Sequence, residues 1–113
     1  MSWQPRTLGR LLEANARERG AAEALVTPTA RLTWAQLRDR ARGAAADLQA
    51  RGLGHGDRIG ILMGNGEEWL SLFYGAALIG AVTVPVNMRF KAGEIAYCLK
   101  QSGAKALYYA PQF

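Results

Sequence analysis

Two glycines between a predicted strand and a predicted helix form the pattern most typical of nucleotide chemistry in this sequence. Gly64 and Gly66 follow the apolar run 59–63 and precede a helical pattern, where a dinucleotide-binding loop would hold a pyrophosphate. That fingerprint requires a third glycine at position 69, and the chain has Trp69 there. Because an indole blocks the close helix–strand packing that this glycine permits, we interpret the segment as a plain strand–helix turn.

The other reactive side chains stand alone. His55 is the single histidine, and no acidic residue or thiol stands at ligand spacing from it. Cys98, the single cysteine, lies on the apolar stripe of a predicted helix, so we expect it to be buried and slow to alkylate. The sequence has no G-x-S-x-G motif, paired carboxylates or zinc-ligand cluster. We therefore predict no catalytic, cofactor-binding or metal-binding residue in this chain.

The segment 56–87 predicts the strand–helix–strand unit around which the chain is organised. Asn65 is the expected N-cap of its helix, with Glu68 in capping-box register. From Trp69 to Ile79 almost every side of the helix is apolar, which predicts a helix buried on most of its surface. Gly80 is the expected C-cap, and a β-branched strand follows. Such a unit is typical of a parallel α/β sheet.

The flanking segments supply the remaining elements. Thr33 and Gln36 form a capping box, and the helix that they open is expected to end at Gly52. Lys91-Ala92-Gly93 predicts a poorly capped start for the last helix. The expected elements are a short amphipathic helix over 7–19, a small hairpin formed by 24–27 and 31–33, helices over 34–51, 66–79 and 93–102, and strands over 57–63, 82–86 and 105–109.

This order predicts an α/β fold with at least three parallel strands, right-handed crossovers and a short helix and hairpin in front. The 113 residues suffice for one small domain with one core. A parallel sheet needs covering layers on both faces, and the helix over 34–51 covers one face only in part. We expect apolar area to remain open, as on a segment of something larger.

Charge and hydropathy leave two further classes of function to weigh. The net charge is +5, and residues 1–58 hold ten arginines against six acidic residues. Because the arginines at 38, 40, 42 and 51 are interleaved with Asp39 and Asp47, we expect a solvated surface that binds DNA only weakly and without sequence specificity. The uncharged run 69–88 has the length of a membrane span, but Gly80 and a change to β-branched residues at Val82 disfavour one continuous helix.

The lone cysteine and the absence of a signal-peptide pattern indicate a cytoplasmic location.

A series of short motifs in fixed order resembles the N-terminal region of AMP-forming acyl-CoA synthetases, from about Leu8 to Tyr108. These motifs are Leu32-Thr33-Trp34 with Leu37, Gly52-Leu53-Gly54, Gly56-Asp57-Arg58-Ile59, Asn65, Trp69, Phe73, Gly75-Ala76, Gly80-Ala81, Val84-Pro85-Val86-Asn87-Met88-Arg89, Glu94-Ile95-Ala96-Tyr97, Leu99 and Ser102-Gly103-Ala104-Lys105-Ala106-Leu107. Each match is weak, and their joint order and spacing carry the resemblance.

The resemblance implies an enzyme that activates a carboxylic acid, such as a fatty acid, with ATP and passes the acyl group to coenzyme A. In that family the phosphate loop, the adenine and ribose contacts and the catalytic lysine lie beyond the equivalent of Phe113. Residues 1–113 are thus expected to be an incomplete, inactive N-terminal part of an AMP-binding synthetase domain. ATP, magnesium and coenzyme A would be bound by the full-length enzyme, and none of them by this segment.

The expected partner of this segment is the rest of the synthetase domain, and a homodimer is left open. Specific nucleic-acid binding is not expected, and membrane contact would be peripheral at most. Two alternatives remain. One is a free-standing small α/β interaction module, and the other, less favoured, is a single-span membrane protein.

Overall fold

The computed structural model describes residues 7–113 and confirms the α/β class. Every element expected from the sequence is present in this part of the chain, and no bound differs from the expected one by more than one residue. The elements are α1 Leu8–Arg19, β1 Glu23–Val26, β2 Arg31–Thr33, α2 Trp34–Ala50, β3 Arg58–Leu62, α3 Glu67–Leu78, β4 Val82–Pro85, α4 Ala92–Ser102 and β5 Ala106–Tyr109.

Three parallel strands form the main sheet, in the order β4-β3-β5. Ile59 of β3 pairs with Thr83 of β4 and with Ala106 of β5. Of these three strands β3 comes first in the chain, and it lies in the centre of the sheet between β4 and β5. The strands β1 and β2 form a separate antiparallel hairpin. Both the parallel sheet and the hairpin confirm the sequence prediction.

The capping box at the start of α2 is formed as predicted. The Gln36 backbone N–H donates to Thr33 Oγ1 at 3.2 Å, and the Thr33 N–H donates to Gln36 Oε1 at 2.9 Å. Thr7 opens α1 in a similar way, because its hydroxyl oxygen accepts from the Arg10 N–H at 3.2 Å. These caps satisfy backbone donors that the first helical turn leaves without partners.

A glycine with positive φ follows the last turn of three helices. Gly52, Gly80 and Gly103 have φ of 81°, 75° and 71°, in the left-handed region that other residues rarely adopt. After Gly80 the Ala81 N–H donates to the Ala76 carbonyl at 2.9 Å, which is the long hydrogen bond of a Schellman motif. The predicted break at Gly80 is thereby confirmed, and the chain turns from α3 directly into β4.

The start of α3 differs from the prediction. Gly66 is the N-cap, because the Leu70 N–H donates to the Gly66 carbonyl at 3.1 Å, and no side chain caps the helix. Asn65 therefore lies one residue outside the helix, and the predicted Asn65–Glu68 capping box is wrong. Glu67 and Glu68 occupy the first turn, where negative charge interacts favourably with the helix dipole.

The predicted extent of burial of α3 is also wrong. Only Gly75 and Ala76 are buried, and the large apolar side chains from Trp69 to Leu78 are half-buried. One side of α3 packs against α2, and Gly75 lies at their closest approach. Within residues 7–113, the neighbours of α3 do not enclose a helix that is apolar on nearly all sides. Part of the surface of α3 therefore stays accessible to water.

Two clusters of buried residues stabilise the fold on the α2–α3 side of the sheet. In the first, Leu12 of α1 and Leu32 of β2 pack against Leu37 of α2. In the second, Leu48 of α2 packs against Ile59 of β3, and this cluster joins the helical layer to the sheet. Leu12, Leu37, Leu48 and Ile59 are at most 1% exposed.

The helix α4 lies on the other face of the sheet, against Gly60 of the central strand. A Cβ placed on Gly60 would lie 2.8 Å from Leu99 Cδ2, so glycine permits this close approach. No residue of α4 is fully buried, and the prediction of a buried Cys98 is corrected to half-buried. The prediction of a poorly capped start of α4 is also partly corrected, because Glu94 Oε1 accepts a hydrogen bond from the Lys91 N–H at 3.1 Å. A single helix does not seal this face.

Among residues 7–113, no helix combines the length and the apolar character needed to cross a bilayer. The run 69–88 is divided between α3, a turn at Gly80 and the strand β4.

Candidate functional site

The carboxyl end of the sheet is where parallel α/β folds usually bind ligands, and here it carries little chemistry. The loop after β3 contains Gly64 and Gly66, and the loop after β4 is closed by Asn87, whose Oδ1 accepts from the Arg89 N–H at 2.9 Å. Within residues 7–113, no three histidine, cysteine or acidic side chains are grouped so that they could hold a metal ion. Among the described residues, this end of the sheet therefore offers loop backbone and no group of candidate metal ligands.

The glycine segment does not have the geometry of a dinucleotide loop. Trp69, at the position of the third glycine, stacks on Phe73 with ring centroids 5.3 Å apart, and Phe73 meets Tyr74 edge-on at the same distance. These rings form an aromatic row along α3. Gly64 and Gly66 connect β3 to that helix, which agrees with a strand–helix turn.

His55 lies in the loop between α2 and β3, and its ring packs over Gly80 at the end of α3. It also lines a groove of about 860 Å³ between α1 and the end of α3. The charged walls of this groove include Arg10 and Arg17, but also Glu18, so they favour neither anions nor cations. Within residues 7–113, His55 has a packing contact with Gly80.

The three arginines within α2 each pair with an acidic residue, and two of the three partners lie on other helices. Arg42 donates to both carboxylate oxygens of Glu13 on α1, at 3.1 and 2.7 Å, which is the bidentate geometry that binds guanidinium best. Arg40 lies 3.4 Å from Glu67 of α3. Exposed pairs of this kind contribute little to stability, because water and salt screen the attraction. They offset the surplus positive charge along the helices, and DNA binding stays a prediction.

Asp57 is a carboxylate with two partners and has a structural task. It accepts from the Gly54 N–H at 2.8 Å and pairs with Lys105 at 2.8 Å. The hydrogen bond from Lys105, followed by that from Gly54, lowers the pKa of Asp57 below its ordinary value. These contacts tie the loop before β3 to the start of β5, at the end of the sheet opposite to the expected ligand edge.

A second polar link joins β5 to α2. The Tyr108 hydroxyl donates to Asp47 Oδ2 at 3.0 Å, and Arg51 Nε donates to the same oxygen at 3.1 Å. The bond from Arg51, followed by that from Tyr108, lowers the pKa of Asp47. Burial, followed by the bond to Asp47, raises the pKa of Tyr108. Asp47 and Tyr108 are both engaged with the scaffold, and Tyr108 also lines a shallow cavity of about 300 Å³ together with Arg51 and Tyr109.

The surface with the clearest potential for binding is apolar. We call the sheet face that carries α4 the open face, and it includes Val82 and Val84 of β4 and Leu107 and Tyr109 of β5. Val82 is 49% exposed and Tyr109 is 57% exposed. Parallel strands are ordinarily covered on both faces, so the open face is incomplete as it stands. The sequence predicted open apolar area, but its location depends on the register of the strands.

Comparison with known proteins places this architecture in a family. A family model described as "AMP-binding enzyme" matches residues 12–112. The chain is 40% identical over 108 residues to Acyl-CoA ligase SID4 of Ajellomyces capsulatus, covering 94% of this chain and 18% of the relative. It is 40% identical over 106 residues to the Mycobacterium tuberculosis long-chain-fatty-acid–CoA ligase FadD13, covering 92% of this chain and 21% of the relative.

Solved structures agree with the sequence relationship. The structure described as Mycobacterium tuberculosis fatty acyl CoA synthetase superposes with a TM-score of 0.88 at 40% identity, covering 91% of this chain and 21% of that one. The chain thus spans about a fifth of the length of these relatives. With nearly all of its described residues matched in sequence and in fold, the chain belongs to the AMP-binding enzyme family.

Proposed function

We propose that this chain serves as the N-terminal scaffold segment of an ATP-dependent acyl-CoA synthetase. The complete reaction converts a carboxylic acid, ATP and coenzyme A to acyl-CoA, AMP and pyrophosphate. The observation that carries this proposal is the match of residues 12–112 to the AMP-binding family, together with relatives that are named as acyl-CoA ligases. A fatty acid is the proposed substrate class, since one such relative is named for long-chain fatty acids.

The residues of this chain support a scaffold role and not a chemical one. Adenylation requires donors and a metal ion around the triphosphate, which stabilise the charge that develops on the departing pyrophosphate. Residues 7–113 contain no group of three or more histidine, cysteine or acidic side chains placed to hold a metal ion. The positive charges of Lys105 and Arg42 are engaged with Asp57 and Glu13. ATP, magnesium and coenzyme A are therefore assigned to the remainder of the enzyme.

The scaffold contributes the central strand and the helix pair on which the rest of the domain assembles. Ile59 and Ile61 of β3 are each 1% exposed, so the middle of the sheet is already a packed core. The open face and the exposed side of α3 are left for the remainder to cover. We also propose a cytoplasmic location, because the lone thiol suits a reducing compartment.

The test measures carboxylate-dependent release of pyrophosphate from ATP and magnesium by the purified chain. We expect none above a no-enzyme control with long-chain, medium-chain or aromatic carboxylates. Turnover that depends on the added acid would refute the scaffold role. The control is a relative with the complete domain, such as FadD13, assayed under the same conditions.

A second candidate is a free-standing interaction module, and the open face favours it. Such a module would bind a partner through Val82 and Tyr109 without any adenylating chemistry in the assembly. The reading frame after Phe113 separates the two candidates. A continuation into a loop rich in serine, threonine and glycine that ends in lysine supports the synthetase, and a stop codon supports the module.

A further inference from the structure

The groove between α1 and the end of α3 combines an apolar floor with a charged wall. Ala77 and Leu78 of α3 form part of the floor, and the volume of the groove is about 860 Å³. The wall is α1, from which Arg10, Arg17 and Glu18 line the groove as exposed residues. An apolar trough bordered by charges of both signs fits an amphipathic partner that carries both signs itself.

Three of the four charged α1 residues in this wall form no ion pair within residues 7–113. The fourth, Glu13, is occupied, because Arg42 donates to both of its carboxylate oxygens at 3.1 and 2.7 Å. Arg10, Arg17 and Glu18 take part in none of the ion pairs of the described residues. A partner in the groove therefore meets two positive charges and one negative charge, at fixed places along α1.

The row formed by Arg10, Ala14 and Glu18 is complementary to itself. Residues four positions apart share one face of a helix. At a rise of about 1.5 Å per residue, Arg10 and Glu18 lie about 6 Å on either side of Ala14. When a second α1 runs antiparallel to the first about a two-fold axis at Ala14, Arg10 of each copy meets Glu18 of the other. A two-fold axis repeats each contact, so one pattern of charges supplies two ion pairs.

Neighbouring arrangements place like charges together or reuse a carboxylate that is already paired. A parallel second copy would set Arg10 against Arg10. An antiparallel copy slid by one position would set Arg10 against Arg17. Slid by two positions the other way, it would direct Arg17 to Glu13, which Arg42 already occupies. The axis at Ala14 is the arrangement in which both ends of the row gain an opposite charge, and like charges disfavour its neighbours.

We propose that the groove between α1 and α3 is an interface for a second copy of this chain, with antiparallel α1 helices and Arg10 of each copy paired with Glu18 of the other. The interface uses the same patch on both copies, so it closes as a dimer. It also brings Arg17 of one copy beside Leu11 of the other. The aliphatic stem of the arginine then covers a leucine that is 38% exposed.

The test is sedimentation equilibrium of the 113-residue chain and of charge-reversed variants over a range of concentrations. The unmodified chain should show a monomer–dimer equilibrium. Arg10→Glu and Glu18→Arg should each raise the dimer dissociation constant at least about tenfold, because each reversal converts two attractions into two repulsions. Neither reversal should unfold α1, since negative charge near the start of a helix and positive charge near its end are both favourable. Circular dichroism checks the helix content.

An equimolar mixture of the two variants is the decisive sample. The row is negative at both ends in Arg10→Glu and positive at both ends in Glu18→Arg, so the two variants should form a heterodimer although neither dimerises well alone. The matched control is Arg19→Glu. It makes the same charge change at an exposed residue of α1 that does not line the groove, and it should leave the dissociation constant unchanged.

Three outcomes would overturn the proposal. The first is a chain that stays monomeric up to its solubility limit. The second is a dimer on which both reversals and Arg19→Glu have equal effects, because the copies would then associate through another surface such as the open face. The third is a mixture of the two variants that stays monomeric. None of these outcomes bears on the proposed function, which the release of pyrophosphate tests separately.

Discussion

Gly75 is the position at which one added methyl group should separate α3 from α2. A Cβ there would lie 2.8 Å from Ala44 Cβ, 2.9 Å from the Ala41 carbonyl oxygen and 3.0 Å from the Ala45 nitrogen. Two of these three atoms belong to the backbone of α2 and cannot move aside by a change of rotamer. Relief of the overlap requires a shift of one helix against the other, and both are packed on the two core clusters.

The magnitude follows from two opposing effects. Overpacking of a well-packed core costs about 1–3 kcal/mol, and three short contacts place Gly75→Ala in the upper half of that range. Alanine regains about 0.5–1 kcal/mol over glycine inside a helix. We therefore expect Gly75→Ala to lower the free energy of unfolding by about 1–2 kcal/mol, measured by urea denaturation with an unchanged m-value.

The matched control is Gly43→Ala in α2, where a new Cβ would meet nothing within 4 Å. Only the gain in helix propensity applies there, so this variant should be stabilised by about 0.5–1 kcal/mol. The same substitution would then have opposite signs at two helical positions. A Gly75→Ala chain as stable as Gly43→Ala would show that the contact between α2 and α3 is looser than the structure describes.

Two further predictions concern side chains at the ends of the sheet and on α4. Lys105 and the Gly54 N–H lower the pKa of Asp57 in the folded chain. Ionised Asp57 therefore stabilises the fold above the ordinary pKa of 3.8. This stabilisation is lost as the pH falls through the lower folded-state pKa. In urea titrations below pH 3.8, Asp57→Asn should therefore lose less unfolding free energy with falling pH than the unmodified chain does. An equally steep loss would refute the assignment. The control is Asp39→Asn, since the Asp39 side chain is 66% exposed. Cys98, which is half-buried in α4, should react with an alkylating reagent more slowly in the native chain than in urea, and equal rates would show that α4 is frayed.

Local signals in the sequence predicted most of the fold. The Thr33–Gln36 capping box and the turn at Gly80 depend on residues within a few positions of each other, so their chemistry can be inferred from the sequence alone. The N-cap of α3 was misassigned because both Asn65 and Gly66 are acceptable at that position. The choice between them depends on how the chain leaves β3, which the local sequence does not contain.

Burial could not be predicted to the same degree. The apolar pattern from Trp69 to Ile79 indicates which surfaces avoid water, but not whether residues 7–113 supply enough neighbours to cover them. Cys98 was misjudged for the same reason, since it lies on the apolar side of α4, above a sheet too narrow to enclose it. The prediction that no residue of this segment is catalytic stays a prediction. A site shared with other segments of the enzyme would only be visible with those segments in place.

The central position of β3 also has a consequence for folding during synthesis. Arg58–Leu62 is made before both of its neighbours, and β5 begins only at Ala106. At a translation rate of about 5–20 residues per second, the interval between β3 and β5 is roughly 2–9 s. Helix pairing is complete in far less time, so α2 and α3 can associate while one side of β3 still lacks a partner. The nascent chain is therefore expected to pass through a stage of a few seconds in which the strand Ile59–Leu62 lacks its partner on the β5 side.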